Sequence, residues 1–302
     1  KSHLYVQVFG GGTSNTEYET LTGHSITFLP YVISAYQAYC KPAEYGMATT
    51  LKAQGYTTVA MHPNSSANWN RKTVYEDMGF DEFISQSHYG DVEKLRNYVS
   101  DKGNYDRLIS RYEEKAPGEK LFIFNVTMQN HSGYAQGWNN LTKTIRLSTQ
   151  LRTADSSAEQ YIALAQASDD ALEELIGYYS QVEEPTLILL FGDHQPQVAT
   201  NFYTDVLGTA PDTALAQKKQ MVPFVLWANY DIPEAQGVEL SLNYLSALLM
   251  DTANLPMTGY QKYLARLWEA APVINTVGIR DAGGNWYGEN EALPEELEEE
   301  LP

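Results

Sequence analysis

Val8–Ser25 reads VFGGGTSNTEYETLTGHS, and the three consecutive glycines Gly10–Gly12 stand between the apolar run Leu4–Phe9 and a segment opening Thr13-Ser14-Asn15-Thr16. A glycine cluster after a strand-like run signals a turn that needs positive φ. Three readings fit it: an ordinary surface turn, a backbone cradle for phosphate, or the bed of a nucleophile. For the third, a metal-coordinated Thr13 hydroxyl would be a competent nucleophile for phosphorus, because coordination lowers its pKa.

Leu4–Phe9 is the first of five short runs rich in β-branched and aromatic residues. The others are Thr57–His62, Leu121–His131, Thr186–His194 and Val222–Tyr230. Their hydrophobicity is continuous rather than alternating, as in strands buried on both faces. Helical patterns lie between them at Asp91–Asp101, Tyr105–Lys115 and Ser157–Val182, the last with Leu164, Ala165, Leu172, Leu175 and Ile176 at helical spacing. The alternation predicts an α/β fold, a mostly parallel central sheet flanked by helices. With no repeat and no long linker, residues 1–290 read as one domain. Residues 291–302 read as an acidic tail, solvated or frayed.

Lys and Arg number 20 against 38 Asp and Glu, giving a net charge of -18 over 302 residues. That field repels polyanions and excludes a nucleic-acid partner; it also disfavours an anionic membrane surface. The single cysteine, Cys40, forms no internal disulfide. No apolar run approaches the ~20 residues that cross a bilayer. The opening KSHLYVQVF reads as the middle of a longer protein.

In open parallel sheets ligands collect beyond the carboxyl ends of strands. The apolar runs end in GGGTSN, MHPNSSANWNR, MQNHSGY and FGDHQP. An uncompensated carboxylate at the end of a buried strand is costly, and a divalent cation would offset it. Asp193 and His194 offer one oxygen and one imidazole nitrogen, a pair that suits Mn²⁺ or Zn²⁺. The dipeptide alone fits equally well a turn-capping Asp beside a surface His. Arg71 offers a fork for phosphate oxygens, His62 a further donor, and Trp69 a flat apolar wall. Taken singly, Trp69 also fits a packing anchor, and His131 a hydrogen-bonded structural histidine.

Together these strings resemble the extracellular catalytic domain of the lipoteichoic acid synthase family, bacterial phosphoglycerol transferases of the alkaline phosphatase and sulfatase superfamily. The resemblance runs through Phe9–Pro30, Met61–Phe83, Phe122–Tyr134 and Phe191–Pro196. It implies an alkaline phosphatase/sulfatase-like fold and Thr13 as the nucleophile that becomes phosphoglycerylated. It implies Thr13, Asp193 and His194 as ligands of Mn²⁺, with Mg²⁺ or Zn²⁺ as alternatives, and His62, Trp69, Arg71 and His131 as the headgroup site. The implied donor is a phosphatidylglycerol-type lipid, and the implied acceptor a glycerol-phosphate polymer or glycolipid of the cell envelope. The implied place is the cell membrane, with the catalytic domain facing outward and anchored by N-terminal transmembrane segments.

One ligand of the family pattern, a Glu ending a strand upstream of the glycine motif, has no counterpart in Lys1–Phe9, which holds no acidic residue. The expectation is weak metal binding and little activity in this chain by itself. Cys40-Lys41-Pro42-Ala43-Glu44 departs from the sulfatase signature C/S-x-P-x-R by placing Glu44 where Arg belongs, and Thr13 cannot mature to formylglycine. The rival readings are phosphodiester or phosphomonoester hydrolysis by the same Thr13, and a non-catalytic domain binding glycerophosphate or a cell-wall polymer.

Overall fold

The computed structural model describes residues 2–30, 34–148, 156–208, 213–288 and 291–302. In chain order come β1 (His3–Tyr5), α1 (Thr13–Thr22), α2 (Ala35–Tyr39), α3 (Met47–Lys52), β2 (Tyr56–His62), α4 (Arg71–Asp77) and β3 (Glu82–Ser85). Then follow β4 (Lys94–Leu95), β5 (Tyr98–Val99), α5 (Asp101–Glu113), β6 (Lys120–Asn125), α6 (Ser156–Tyr179), β7 (Leu187–Phe191), α7 (Thr200–Leu207), α8 (Thr213–Gln217) and β8 (Met221–Ala228). The chain ends with β9 (Glu239–Ser241), α9 (Leu245–Thr252), α10 (Gly259–Ala270), β10 (Val273–Asn275), β11 (Gly278–Arg280), β12 (Trp286–Gly288) and α11 (Glu295–Glu300). It divides into two compact units. The first is Lys1–Tyr39, Glu183–Pro196 and Thr209–Pro302, and the second Cys40–Val182 and Gln197–Gly208.

The first unit carries a four-stranded sheet in the order β7-β8-β1-β9. Strand β8 runs antiparallel to both neighbours, while β1 and β9 are parallel, so Leu4 pairs with Val222 on one side and Leu240 on the other. Leu4, Val6, Leu240, Leu245, Leu264 and Leu267 form its core. Each such leucine contributes about 2 kcal/mol of burial. The acidic tail does not fray: Glu295, Glu296 and Glu298 lie in the first turn of α11, where the helix dipole favours negative charge, and Leu297 packs into this core.

The second unit holds a parallel sheet in the order β3-β2-β6, with Val59, Met61 and Ile84 in its core. Central β2 is buried from Val59 to His62. Strands β6 and β7 are each paired on one side only among the described residues, and most of their side chains remain half-buried. Tyr105–Lys115 and Ser157–Val182 correspond to α5 and α6, as their periodicity predicts. Asp91–Asp101 is different. It forms a hairpin, β4 against β5, with Lys94 opposite Val99 and Leu95 opposite Tyr98. Val92 and Val99 pack on the core of the sheet, and this tertiary contact outweighs a weak helical preference. Helix α5 starts only after Ser100, whose side chain accepts the Gly103 N–H as an N-cap.

Helix α1 buries every residue after Thr13, including Glu19. Glu19 Oε1 accepts the Ile26 N–H at 2.6 Å. Burial pushes its carboxyl up to about 8, against the lowering effect of hydrogen bonds from the Ile26 backbone and from Gln7 and Ser25. Between pH 4.5 and 8 the folded chain therefore keeps a proton that the unfolded chain releases, so Glu19 makes stability fall as pH rises through that window. Replacing Glu19 with Gln should flatten that slope and remove a cost of about 3 kcal/mol at pH 7. Denaturant unfolding at pH 5 and pH 8 reads this directly, and equal slopes in both proteins would rule Glu19 out as the source.

Candidate active site

Gly10, Gly11 and Gly12 take φ values of +73°, +157° and +94°. A Cβ on Gly12 would also stand 3.1 Å from Val8 Cγ1. Only glycine adopts this backbone without strain, and it turns the chain after β1 so that Thr13 becomes the first residue of α1. The Gly10 N–H donates to Gln195 O at 3.0 Å, tying the turn to the segment that follows β7. Thr13 Oγ1 then donates to Asp193 Oδ2 at 2.5 Å, and Thr16 Oγ1 donates to Asp193 O at 2.8 Å. The His194 N–H donates to Asp193 Oδ1 at 3.0 Å. Hydrogen bonds to an ionised carboxylate are the short, strong kind.

His194 Nδ1 lies 2.9 Å from Gln195 O, a carbonyl acceptor that places a proton on Nδ1 and fixes the ring's orientation. The other ring nitrogen, Nε2, lies 3.2 Å from Asp193 Oδ2. With Thr13 Oγ1 they make two oxygens and one imidazole nitrogen whose orientation is fixed by a backbone carbonyl, a donor set that fits Mn²⁺ or Zn²⁺. Among the described residues no group of three or more His, Cys, Asp or Glu side chains is placed to hold a metal ion, and Thr13, Asp193 and His194 supply three donors, part of a coordination shell.

In the second unit, buried His62 ends β2, and its Nδ1 lies 3.0 Å from the Val126 carbonyl that follows β6. Burial holds its pKa near 3; the Arg71 charge and His131 act in the same direction, opposed by the Val126 hydrogen bond. His62 is therefore neutral, with its Nδ1–H spent on Val126 O, and offers an acceptor at Nε2. This corrects the expected donor role: such a nitrogen suits a hydroxyl group rather than a phosphate oxygen. Arg71 begins α4 and is 3% exposed. Just before it, Trp69 and Asn70 take φ values of +56° and +54°, and Trp69 remains 39% exposed. Left-handed backbone at two consecutive non-glycine residues is strain of the sort that collects at functional sites. His131 is exposed in the loop after β6, its Nδ1 3.3 Å from Tyr98 Oη.

The structure thus brings Thr13, Asp193 and His194 together in the first unit and places Arg71 and His131 each within electrostatic reach of His62 in the second. Sequence reasoning missed the Val126 and Gln195 carbonyls that orient the two histidines, because a backbone acceptor has no side-chain signature. It also passed over Thr16, three residues after Thr13 and so on the same face of α1. Cys40 is half-buried, and burial, Glu44 and Asp77 push its thiol up to about 12, which removes it as a thiolate nucleophile.

Between pH 3 and 6.5 folded His62 binds fewer protons than the unfolded chain does. Its stabilising contribution is full above pH 6.5 and is lost as pH falls towards 3. The His62 ring resonance should stay flat from pH 5 to 8 in an NMR titration. A midpoint inside that range would overturn the neutral-acceptor assignment.

The family model described as Sulfatase matches residues 1–255. A Rhizobium meliloti (strain 1021) protein named for cyclic β-1,2-glucan modification is 30% identical over 281 residues, which are 90% of this chain and 43% of that protein. The chain thus spans less than half the length of that relative. The structure of the Streptococcus pyogenes phosphoglycerol transferase GacH, in complex with sn-glycerol-1-phosphate, aligns with a TM-score of 0.71 at 23% identity, covering 90% of this chain and 69% of that one. The lipoteichoic acid synthase LtaP from Listeria monocytogenes aligns with a TM-score of 0.69 at 17% identity, covering 99% and 79%. These likenesses show a shared alkaline phosphatase/sulfatase-like α/β fold. With a match that extends from β1 past Asp193 and His194, the chain belongs to the sulfatase family.

Proposed function

We propose that this chain is the catalytic domain of a phosphoglycerol transferase that moves glycerol phosphate from a phosphatidylglycerol-type lipid to a cell-envelope acceptor through a covalent adduct on Thr13. The observation that carries this reading is the 2.5 Å hydrogen bond from Thr13 Oγ1 to Asp193 Oδ2 at the amino end of α1. It fixes the hydroxyl beside a carboxylate and an imidazole, where the N-terminal amides of the helix favour anionic oxygens.

In the first half-reaction Thr13 Oγ attacks phosphorus, the P–Oγ bond forms, and the P–O bond to diacylglycerol breaks. Diacylglycerol leaves as an alcohol, carrying one proton for the one that Thr13 gives up. In the second, an acceptor hydroxyl attacks the same phosphorus, the P–Oγ bond breaks, and Thr13 regains a proton. A divalent cation, Mn²⁺ on this reading, held by Thr13 Oγ1, Asp193 Oδ2 and His194 Nε2, would lower the hydroxyl pKa and neutralise phosphoryl charge. His194 keeps its tautomer through Gln195 O. For the headgroup, Arg71 supplies a fork for phosphate oxygens, neutral His62 accepts from a glycerol hydroxyl, Trp69 gives an apolar wall, and His131 a further polar contact.

The acceptor is a hydroxyl of an envelope glycan, glycolipid or glycerol-phosphate polymer, and the relative named for glucan modification favours a glycan. The reaction belongs at the outer face of the cell membrane, where its lipid donor lies. Sulfate-ester chemistry through formylglycine has no residue to support it at position 13. Hydrolysis is the outcome when water replaces the acceptor.

The test is to supply the full-length protein with Mn²⁺, a fluorescent phosphatidylglycerol analogue in vesicles and a cyclic glucan, following headgroup release and intact mass. Wild type should gain one glycerol-phosphate adduct on Thr13, whereas Thr13→Ala should lose the adduct and at least about 10³-fold in turnover. Folded, metal-loaded wild type that shows neither turnover nor adduct would overturn the proposal.

A further inference from the structure

The β4–β5 hairpin closes through Arg96–Asn97, between the paired residues Leu95 and Tyr98. Arg96 sits there at φ +56°. Glycine is the unstrained choice at such a position, so turn chemistry does not explain an arginine. What its side chain reaches does. Only 5% exposed, it donates through Nη2 to Gln129 O at 2.6 Å and His131 O at 2.7 Å, and through Nη1 to Gly133 O at 3.3 Å. Alternate carbonyls of a single loop thus converge on one guanidinium. A planar fork meets several acceptors at fixed angles in a way that an ammonium cannot.

The guanidinium is also flanked by aromatic rings, 5.2 Å from the centroid of Tyr98 and 5.6 Å from that of Tyr134. Tyr98 in turn touches His131 itself, with Oη 3.3 Å from Nδ1 and ring centroids 5.5 Å apart. The hairpin tip is fixed from outside by Asn140 Nδ2, which donates to Arg96 O at 3.0 Å. Residues 129–133 have no strand or helix of their own to hold them, so their geometry depends on such ties.

We infer that Arg96 is a positioning residue for His131: it accepts backbone strain at the hairpin tip in order to clamp the loop that presents the imidazole. The consequence for catalysis rests on the headgroup role proposed for His131, whereas the clamp itself does not.

Arg96→Gly separates a turn role from a clamp role, because glycine relieves the hairpin while deleting the guanidinium. The variant should fold, melting below wild type because the clamp bonds are lost, with the relieved turn offsetting part of that loss. Amides of residues 129–133 should exchange at least about tenfold faster, the factor for losing one hydrogen bond to a charged group. The His131 ring resonance should shift. In the phosphatidylglycerol assay KM should rise about tenfold with a smaller change in kcat, Arg96→Lys should recover part of the loss, and Arg96→Gly with His131→Ala should be no worse than His131→Ala alone. Unchanged loop exchange and an unchanged His131 signal in folded Arg96→Gly would overturn the inference. Wild-type kinetics in His131→Ala would instead remove the headgroup role of His131, and the exchange experiment would still decide the clamp.

Discussion

A single carboxylate, that of Asp193, is the constraint around which the first unit is built. Its Oδ2 takes the Thr13 hydroxyl, its Oδ1 takes the His194 N–H, and its own carbonyl takes the Thr16 hydroxyl. Two glycine features make that convergence possible. The positive-φ turn at Gly10–Gly12 lets α1 begin against the end of β7, and Gly192 lets the strand end approach β8, where a Cβ would meet Val222 Cβ at 3.1 Å. Each of these hydrogen bonds fixes one neighbour against the same residue, so one side chain and its own carbonyl set the positions of Thr13, Thr16 and the His194 backbone together.

The second unit solves a different electrostatic problem. The chain carries a net charge of -18, a field that repels anionic ligands. Arg71, held almost fully out of solvent, is a fixed positive charge against that field, and a buried charge acts more strongly than an exposed one. His62 cannot add a second. Burial and Arg71 together outweigh the Val126 hydrogen bond that favours its protonated form, so it stays a neutral acceptor. One cation and one acceptor, rather than two cations, match a group with both an anionic oxygen and hydroxyls.

Much of this was legible in the sequence because continuous apolar runs mark β2, β6, β7 and β8, and polar residues at the ends of such runs mark a site. Thr13, Asp193 and His194 could be picked out as separate strings, although only the fold shows them within hydrogen-bond reach. The hairpin of residues 91–101 was not legible. Val92, Leu95 and Val99 lie at i, i+3 and i+7, which suits one helical face as well as it suits the hairpin. What decides between the two is packing on residues far away in the chain and a left-handed Arg96, neither of which periodicity can carry. The same holds for His62: its lowered pKa comes from burial and from Arg71 and His131, none of which its own neighbours in sequence foretell.

Membership of the sulfatase family fixes a scaffold, and the scaffold does not choose the ester. Sulfatase chemistry depends on an aldehyde made by oxidising a primary alcohol or thiol side chain. Thr13 carries a secondary alcohol, which oxidation would turn into a ketone, and Cys40 lies in the other unit with a thiol kept protonated by its surroundings. What position 13 does offer is a hydroxyl aligned on a carboxylate at a helix amino terminus, the arrangement that the proposed transfer through a Thr13 ester would use. On that reading the departure from sulfatase chemistry is made by one side chain, while the glycine turn that presents it belongs to the shared architecture.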